Sequence, residues 1–160
     1  MMADGEPEYF TNDPDPENPG WYKWILTDPD CYNGFLGPML IRCGGDGLGD
    51  NIGRVKMFPE RRHRNLGDVL HGGTMMGFID CSLFAAMRAL ELGPSGMAVT
   101  LELQTHFLGA AQLMEPLEAQ VEVTRETGRF LFMRGLVVQG EIPENMASFT
   151  AIVKKAPKAK

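Results

Sequence analysis

A lone carboxylate stands in the most apolar stretch of this 160-residue chain. Between Met75 and Leu90 the sequence passes through Met76, Phe78, Ile79, Leu83, Phe84, Ala85, Ala86 and Met87, and Asp80 lies among them. On a helix its neighbours at three and four positions are Met76, Gly77, Leu83 and Phe84. A carboxylate so placed loses hydration and must find partners or shift its titration. Two readings fit the residue alone: a structural carboxylate satisfied by a neighbouring turn, or a base or nucleophile held ready for chemistry. A second feature precedes it, His71-Gly72-Gly73. The first amides of a helix lack internal partners and carry partial positive charge, and glycine lets a carbonyl oxygen approach them closely. An ordinary capped helix start fits that string as well.

Geometry constrains how the two features can combine. Gly72 and Asp80 are eight residues apart, about 12 Å along a helix axis. A base and an oxyanion donor must both come within about 3 Å of one reacting group. Within one chain they cannot meet. Two copies related by a two-fold axis can bring the helix start of one beside the helix middle of the other, which makes two equal sites.

The elements that would position these residues can be read from hydrophobic periodicity. A helix is expected from Gly72-Gly73-Thr74 to about Leu92, stopped by Gly93-Pro94. It is apolar nearly all round, so it must be wrapped. Residues 97–108 alternate, with Met97, Val99, Leu101, Leu103 and Phe107 on one face and Thr100, Glu102, Gln104 and His106 on the other. Residues 117–126 alternate again, 129–139 are apolar on both faces, and 147–154 give a fourth strand. Thr127-Gly128 reads as a tight turn. Two earlier strands are expected near 36–44 and 53–58, with a polar loop over 59–72. The result is an α+β fold, a curved antiparallel sheet around one long helix. Residues 1–20 hold six acids, four prolines and no base, and are expected not to pack. Trp21-Tyr22-Lys23-Trp24-Ile25-Leu26 is expected to dock on the body or on a partner. The chain is thus divided into an extension, 1–33, and a main domain, 34–160.

Composition excludes several classes. The net charge of −6 belongs to the first 20 residues, since the remaining 15 acids match 15 bases. No basic stripe calls for nucleic acid. No apolar run suits a membrane span and no export signal opens the chain, so a cytoplasmic protein is expected. Three cysteines, Cys31, Cys43 and Cys81, with no CxxC pair, favour neither a disulfide framework nor a metal site, and Cys81 is expected to be a buried apolar residue.

The string Asn65-Leu66-Gly67-Asp68-Val69-Leu70-His71-Gly72-Gly73, followed by Asp80, resembles the PaaI-type hotdog-fold acyl-CoA thioesterases. Their motif has Asn, then His-Gly-Gly six residues later, then Asp nine residues after that His. Both intervals hold here, and the resemblance in element order spans about residues 35–155. It implies a hotdog fold and hydrolysis of a CoA thioester without a separate cofactor. It also implies a homodimer, or a tetramer built as a dimer of dimers. Asn65 and the Gly72 amide would polarise the thioester carbonyl, with Gly73 beside them. Asp80 of the other subunit would act as base or nucleophile, Thr100 would help position water, and His71 would orient the loop. The family often has Gly three residues after the Asn, where this chain has Asp68, so the loop conformation and the aim of Asn65 depend on that residue.

Arg125 and Arg129 flank the Thr127-Gly128 turn and are the candidates for the CoA phosphates, unless they are plain surface arginines. Met75, Met76 and Met87 either line an acyl tunnel or fill the core. Two other functions compete. A dehydratase of the same fold wants a catalytic His in a motif absent here. A non-catalytic acyl-CoA-binding or scaffold protein would keep the fold without turnover.

Overall fold

The computed structural model describes residues 10–93 and 98–156. Pro94, Met97, the acids of residues 1–9 and the lysines at 158 and 160 lie outside them. The long helix is α2, Gly72–Ala89. His71, extended at φ −66° and ψ 136°, accepts the Gly73 N–H on Nδ1 at 2.9 Å. This satisfies one of the orphan amides of the first turn. The helix closes at Leu90, whose N–H returns to the Ala86 carbonyl, before Glu91 and Gly93 take positive φ. Arg88 in the last turn faces the negative end of the peptide dipoles.

Around α2 run β1 (Phe10–Thr11), β2 (Tyr22–Leu26), a short helix α1 (Tyr32–Leu36), β3 (Met39–Gly45), β4 (Leu48–Met57), a 3-10 turn (Arg61–His63), and after the helix β5 (Val99–Phe107), β6 (Leu117–Glu126), β7 (Phe130–Gln139) and β8 (Glu144–Lys154). They form one sheet in the order β1-β2-β3-β4-β6-β7-β8-β5, antiparallel throughout. The alternation expected for β6 holds: Leu117, Ala119 and Val121 are buried, and Glu118, Gln120 and Glu122 turn to the other face. Met75, Phe78, Ile79, Leu83 and Met87 of α2 fill the space under the sheet with Val55, Met57, Leu131 and Val153. The helix lies against β3, β4, β5 and β6. Its wrapping is incomplete. Met76, Gly77, Asp80, Phe84 and Arg88 are only half-buried and form one stripe at helical spacing.

Three expectations are corrected. The strand expected at 36–44 is shorter and begins later, at Met39, and the one expected at 53–58 begins earlier, at Leu48, because Asp46-Gly47 makes a two-residue hairpin with the positive φ (54° and 85°) that a type I′ turn needs. Residues 34–36 are helical, in α1, which runs through the expected boundary at 33 and 34. Residues 10–20 do associate with the body: β1 pairs with β2, Lys23 N–H donates to the Asp13 carbonyl at 2.7 Å, and Asp15 N–H to that of Trp21 at 2.9 Å. The expected docking of 21–26 takes the form of a strand. Trp24 is buried on the core side, and Trp21 is buried beneath the ammonium of Lys56, 4.0 Å from the ring centre. Among the described residues no helix is long and apolar enough to cross a membrane.

Helix and sheet approach closely at Gly53 of β4, where an added Cβ would lie 2.6 Å from that of Ala86. Gly53→Ala is therefore expected to cost about 1–3 kcal/mol in urea unfolding. Gly128→Ala, in a turn with no atom within 4 Å of the new carbon, is expected to leave the midpoint within experimental error.

Candidate active site

The residues singled out from the sequence fall into two groups at opposite ends of β5. The first group is Asp80 and Thr100. Thr100 Oγ1 donates to Asp80 Oδ1 at 2.7 Å, and the other carboxylate oxygen makes no hydrogen bond among the described residues. Thr100 was expected on the polar face of its strand. A β-bulge between Thr100 and Glu102 inserts Leu101 and shifts the phase, so that Thr100 shares the helix-facing side with Leu103, Thr105 and Phe107. Bulges re-aim side chains in this way near sites.

The second group surrounds the start of α2. Gly72 is exposed, and its N–H has no hydrogen-bond partner among the described residues, whereas the Gly73 N–H is held by His71. Of the two glycines, Gly72 thus presents the open amide. His71 caps the helix start. Asn65 Oδ1 accepts from Gly67 N–H at 2.7 Å and from Val69 N–H at 3.3 Å, which folds the loop and leaves the Asn65 Nδ2 as an uncommitted donor among the described residues. Asp68 adopts φ 58°, the left-handed conformation that explains a glycine at this place and that Asp tolerates better than most residues. Its carboxylate is exposed and bonded to Arg64 Nη1 at 2.5 Å. A methyl on Gly72 would come within 3.7 Å of the Phe107 ring, so the helix start lies beside the far end of β5 from Thr100.

Two other assignments are settled by burial. Met75 and Met87 are core residues, 3% and 0% exposed, and line no tunnel; Met76 lies on the half-buried stripe. Arg125 and Arg129 are exposed at the β6–β7 turn and form no ion pair among the described residues. Phe130, Lys154 and Val99 lie side by side across β7, β8 and β5, so this turn is about 10 Å from the start of β5.

Residues with roles not foreseen gather on the other side of Asp80. Tyr32 of α1 lies against Gly77, one turn before Asp80. The isolated glycine within the helix was the available signal. Burial, and then the neighbouring Cys81 and Asp80, raise the Tyr32 phenol above its ordinary range. Cys81 is buried and its thiol is pushed up to about 12, first by burial and then by Asp80. His63 is fully buried. Its Nδ1 accepts from Glu60 N–H at 2.9 Å and its Nε2 donates to the Phe35 carbonyl at 2.8 Å. A cavity of about 760 Å3 lies elsewhere, over the outer sheet face. Its floor is the Arg54–Glu118 ion pair at 2.7 Å, and none of the site residues lines it.

One long helix clasped by a single antiparallel sheet, with a carboxylate on its open stripe, defines a hotdog-fold protein. Residues 67–145 match the model of the thioesterase superfamily. The fold agrees with solved structures of low sequence identity. Zebrafish thioesterase superfamily member 2 is 17% identical, with a TM-score of 0.66 over 79% of this chain and 88% of that one. The Escherichia coli PaaI protein of the phenylacetic acid degradation operon is 18% identical, with a TM-score of 0.61 over 78% and 83%. The smu.793 protein of Streptococcus mutans, solved bound to acetyl CoA, is 17% identical, with a TM-score of 0.58 over 69% and 85%. No curated protein matches the sequence.

Two outcomes are expected here. Asp68→Gly keeps the loop and shifts stability by less than about 1 kcal/mol, whereas Asp68→Val costs about 1–2 kcal/mol by thermal or urea unfolding, because a β-branched residue resists positive φ. With iodoacetamide at neutral pH, the exposed Cys31 and Cys43 are alkylated in the native protein and Cys81 only after unfolding; mass mapping of the labelled peptides reads this directly.

Proposed function

We propose that the protein is an acyl-CoA thioesterase whose two active sites lie between two copies of the chain. The observation that carries this reading is the arrangement of the two groups about β5. Asp80 and Thr100 stand at its beginning, and Gly72 stands beside Phe107 at its end. β5 is also an edge strand, open on one side, with Val99, Leu101 and Phe107 each at least half exposed. A nine-residue open edge that carries exposed apolar side chains is a ready template for pairing. If two copies pair antiparallel about the middle of β5, the beginning of the strand, with Thr100, falls towards the Phe107 end of the same strand in the partner subunit. Asp80 then approaches the partner subunit's Gly72, the distance that one chain alone cannot bridge. The half-buried stripe on α2 supports the same contact, since Met76 and Phe84 flank Asp80 there.

In such a site the thioester carbonyl would accept from the open Gly72 amide and from the Asn65 Nδ2. A preorganised donor of this kind contributes roughly 3 kcal/mol as charge grows on the oxygen. Asp80, oriented by Thr100 through one oxygen, would use the other to take a proton from attacking water, or would attack the carbonyl itself to form an anhydride. CoA thiolate leaves; on the first route the free acid forms directly, and on the second water then hydrolyses the anhydride, which releases the acid and restores the Asp80 carboxylate. Arg125 and Arg129 would face the CoA phosphates, with the acetyl-CoA complex of the Streptococcus mutans protein as a precedent for CoA binding on this fold.

The test is release of free thiol from a panel of acyl-CoAs. Turnover is expected in the native protein, falling roughly 100- to 10,000-fold in Asp80→Ala with the fold retained by circular dichroism. Thr100→Val is expected to reduce kcat by roughly 10- to 150-fold, the worth of a hydrogen bond to a charged group. Sedimentation should report a dimer or a multiple of it. Saturable binding without turnover would instead mark a non-catalytic binder, and undiminished turnover in Asp80→Ala would overturn the mechanism.

A further inference from the structure

Gly77 interrupts a helix at a place where glycine is about 1 kcal/mol worse than alanine. Its position is explained by Tyr32. A Cβ at 77 would overlap the Tyr32 hydroxyl and lie 2.7 Å from two ring carbons. The seat therefore exists for the ring, yet the ring is 52% exposed and its hydroxyl makes no hydrogen bond among the described residues. Neither core burial nor a polar contact accounts for it. The ring is nonetheless firmly placed. Tyr32 packs on Phe35 with ring centres 5.9 Å apart, Phe35 meets His63 edge-on at 5.1 Å, and the His63 imidazole holds the Phe35 carbonyl. A rigid, half-open aromatic wall thus stands one turn from the carboxylate, near enough that Asp80 acts on its phenol.

This placement bears on the acyl group of the substrate. A thioester reacting beside Asp80 has few directions in which to extend its acyl part. The core side of α2 is closed, since Met75, Phe78, Ile79, Leu83 and Met87 are at most 3% exposed. Thr100 occupies the side towards β5. Towards the C-terminal end of the stripe, Phe84 rises and packs on the core. Towards the start of the helix Gly77 carries no side chain, and the Tyr32 ring is seated over it, so an acyl group extending that way meets the ring. Gly77 is three residues from Asp80, about 4.5 Å along the axis. We infer that Tyr32 is the end wall of the acyl subsite and restricts the enzyme to compact, short acyl groups. The inference rests on the thioesterase reading above and adds to it the substrate class and the residue that sets it.

The experiment measures kcat/KM for straight-chain acyl-CoAs from two to twelve carbons. The native enzyme is expected to prefer the short end. Tyr32→Ala should raise the ratio of ten-carbon to four-carbon kcat/KM by at least about tenfold. Gly77→Ala, which displaces the ring without removing it, should move the ratio in the same direction, and Tyr32→Trp in the opposite one. Tyr32→Phe, which keeps the ring, should keep the native profile. An unchanged ratio in folded Tyr32→Ala and Gly77→Ala, or a native preference for long chains, would overturn the inference. Complete absence of hydrolysis would instead count against the thioesterase reading. In that event calorimetric affinities for non-hydrolysable acyl-CoA thioethers of the same lengths read the same ratio, and an unchanged ratio there overturns the wall.

Discussion

The separation of a carboxylate and an open amide along one rigid helix governs how this molecule can work. Eight residues of α-helix cannot be bent to bring Asp80 and Gly72 onto one carbonyl, so chemistry that needs both has to recruit a second helix. The rest of the fold is consistent with that need. The sheet covers α2 on every side but one stripe, and the edge strand that borders this stripe is long, open and carries exposed apolar side chains. Asp80 and Thr100 stand at one end of β5 and the helix start at the other, so a two-fold axis through the strand centre exchanges the two groups. A carboxylate on a half-buried stripe keeps one side towards solvent, and Thr100 satisfies one of its oxygens.

Much of the architecture was legible in the sequence because its signals were local. The apolar density of residues 75–90 demanded a wrapped helix, and the alternation over 117–126 gave β6 and its inward face. The errors arose where a single residue changes phase or direction. Asp46-Gly47 is a strong hairpin signal, but it sits in a run of glycines that reads as broken strands. The bulge at Leu101 leaves no mark in an alternating pattern, and it alone turns Thr100 from the polar face to the carboxylate. Residues 10–20 are acidic and proline-rich, yet backbone hydrogen bonds to β2 hold them, a form of association that composition does not report.

The site residues were legible to the extent that their chemistry depends on type and spacing. Asp80 stands at the middle of α2, and Gly72, Asn65 and His71 stand about its start, as their spacing in the sequence requires. The concern raised by Asp68 is resolved by backbone geometry, because its positive φ reproduces what glycine would supply and its charge turns out to Arg64. Tyr32 could not be read in the same way. It lies 48 residues before Asp80 in a stretch without periodicity, and its position depends on a tertiary contact with Gly77. The outer-face cavity was equally invisible, because the Arg54–Glu118 pair at its floor forms across two strands far apart in sequence.

His63 has a wider reach than a buried imidazole usually has. Its ring fixes the carbonyl of Phe35, next to the aromatic wall, and its own backbone carbonyl takes the N–H of His71 at 2.8 Å, next to the open amide. Surface connections ordinarily absorb added or deleted residues with little harm. The stretch from Glu60 to Arg64 cannot, because a change of even one residue in its length would move the acyl boundary and the helix start together. Diversification of this scaffold would therefore proceed by exchanging side chains around a segment of fixed length.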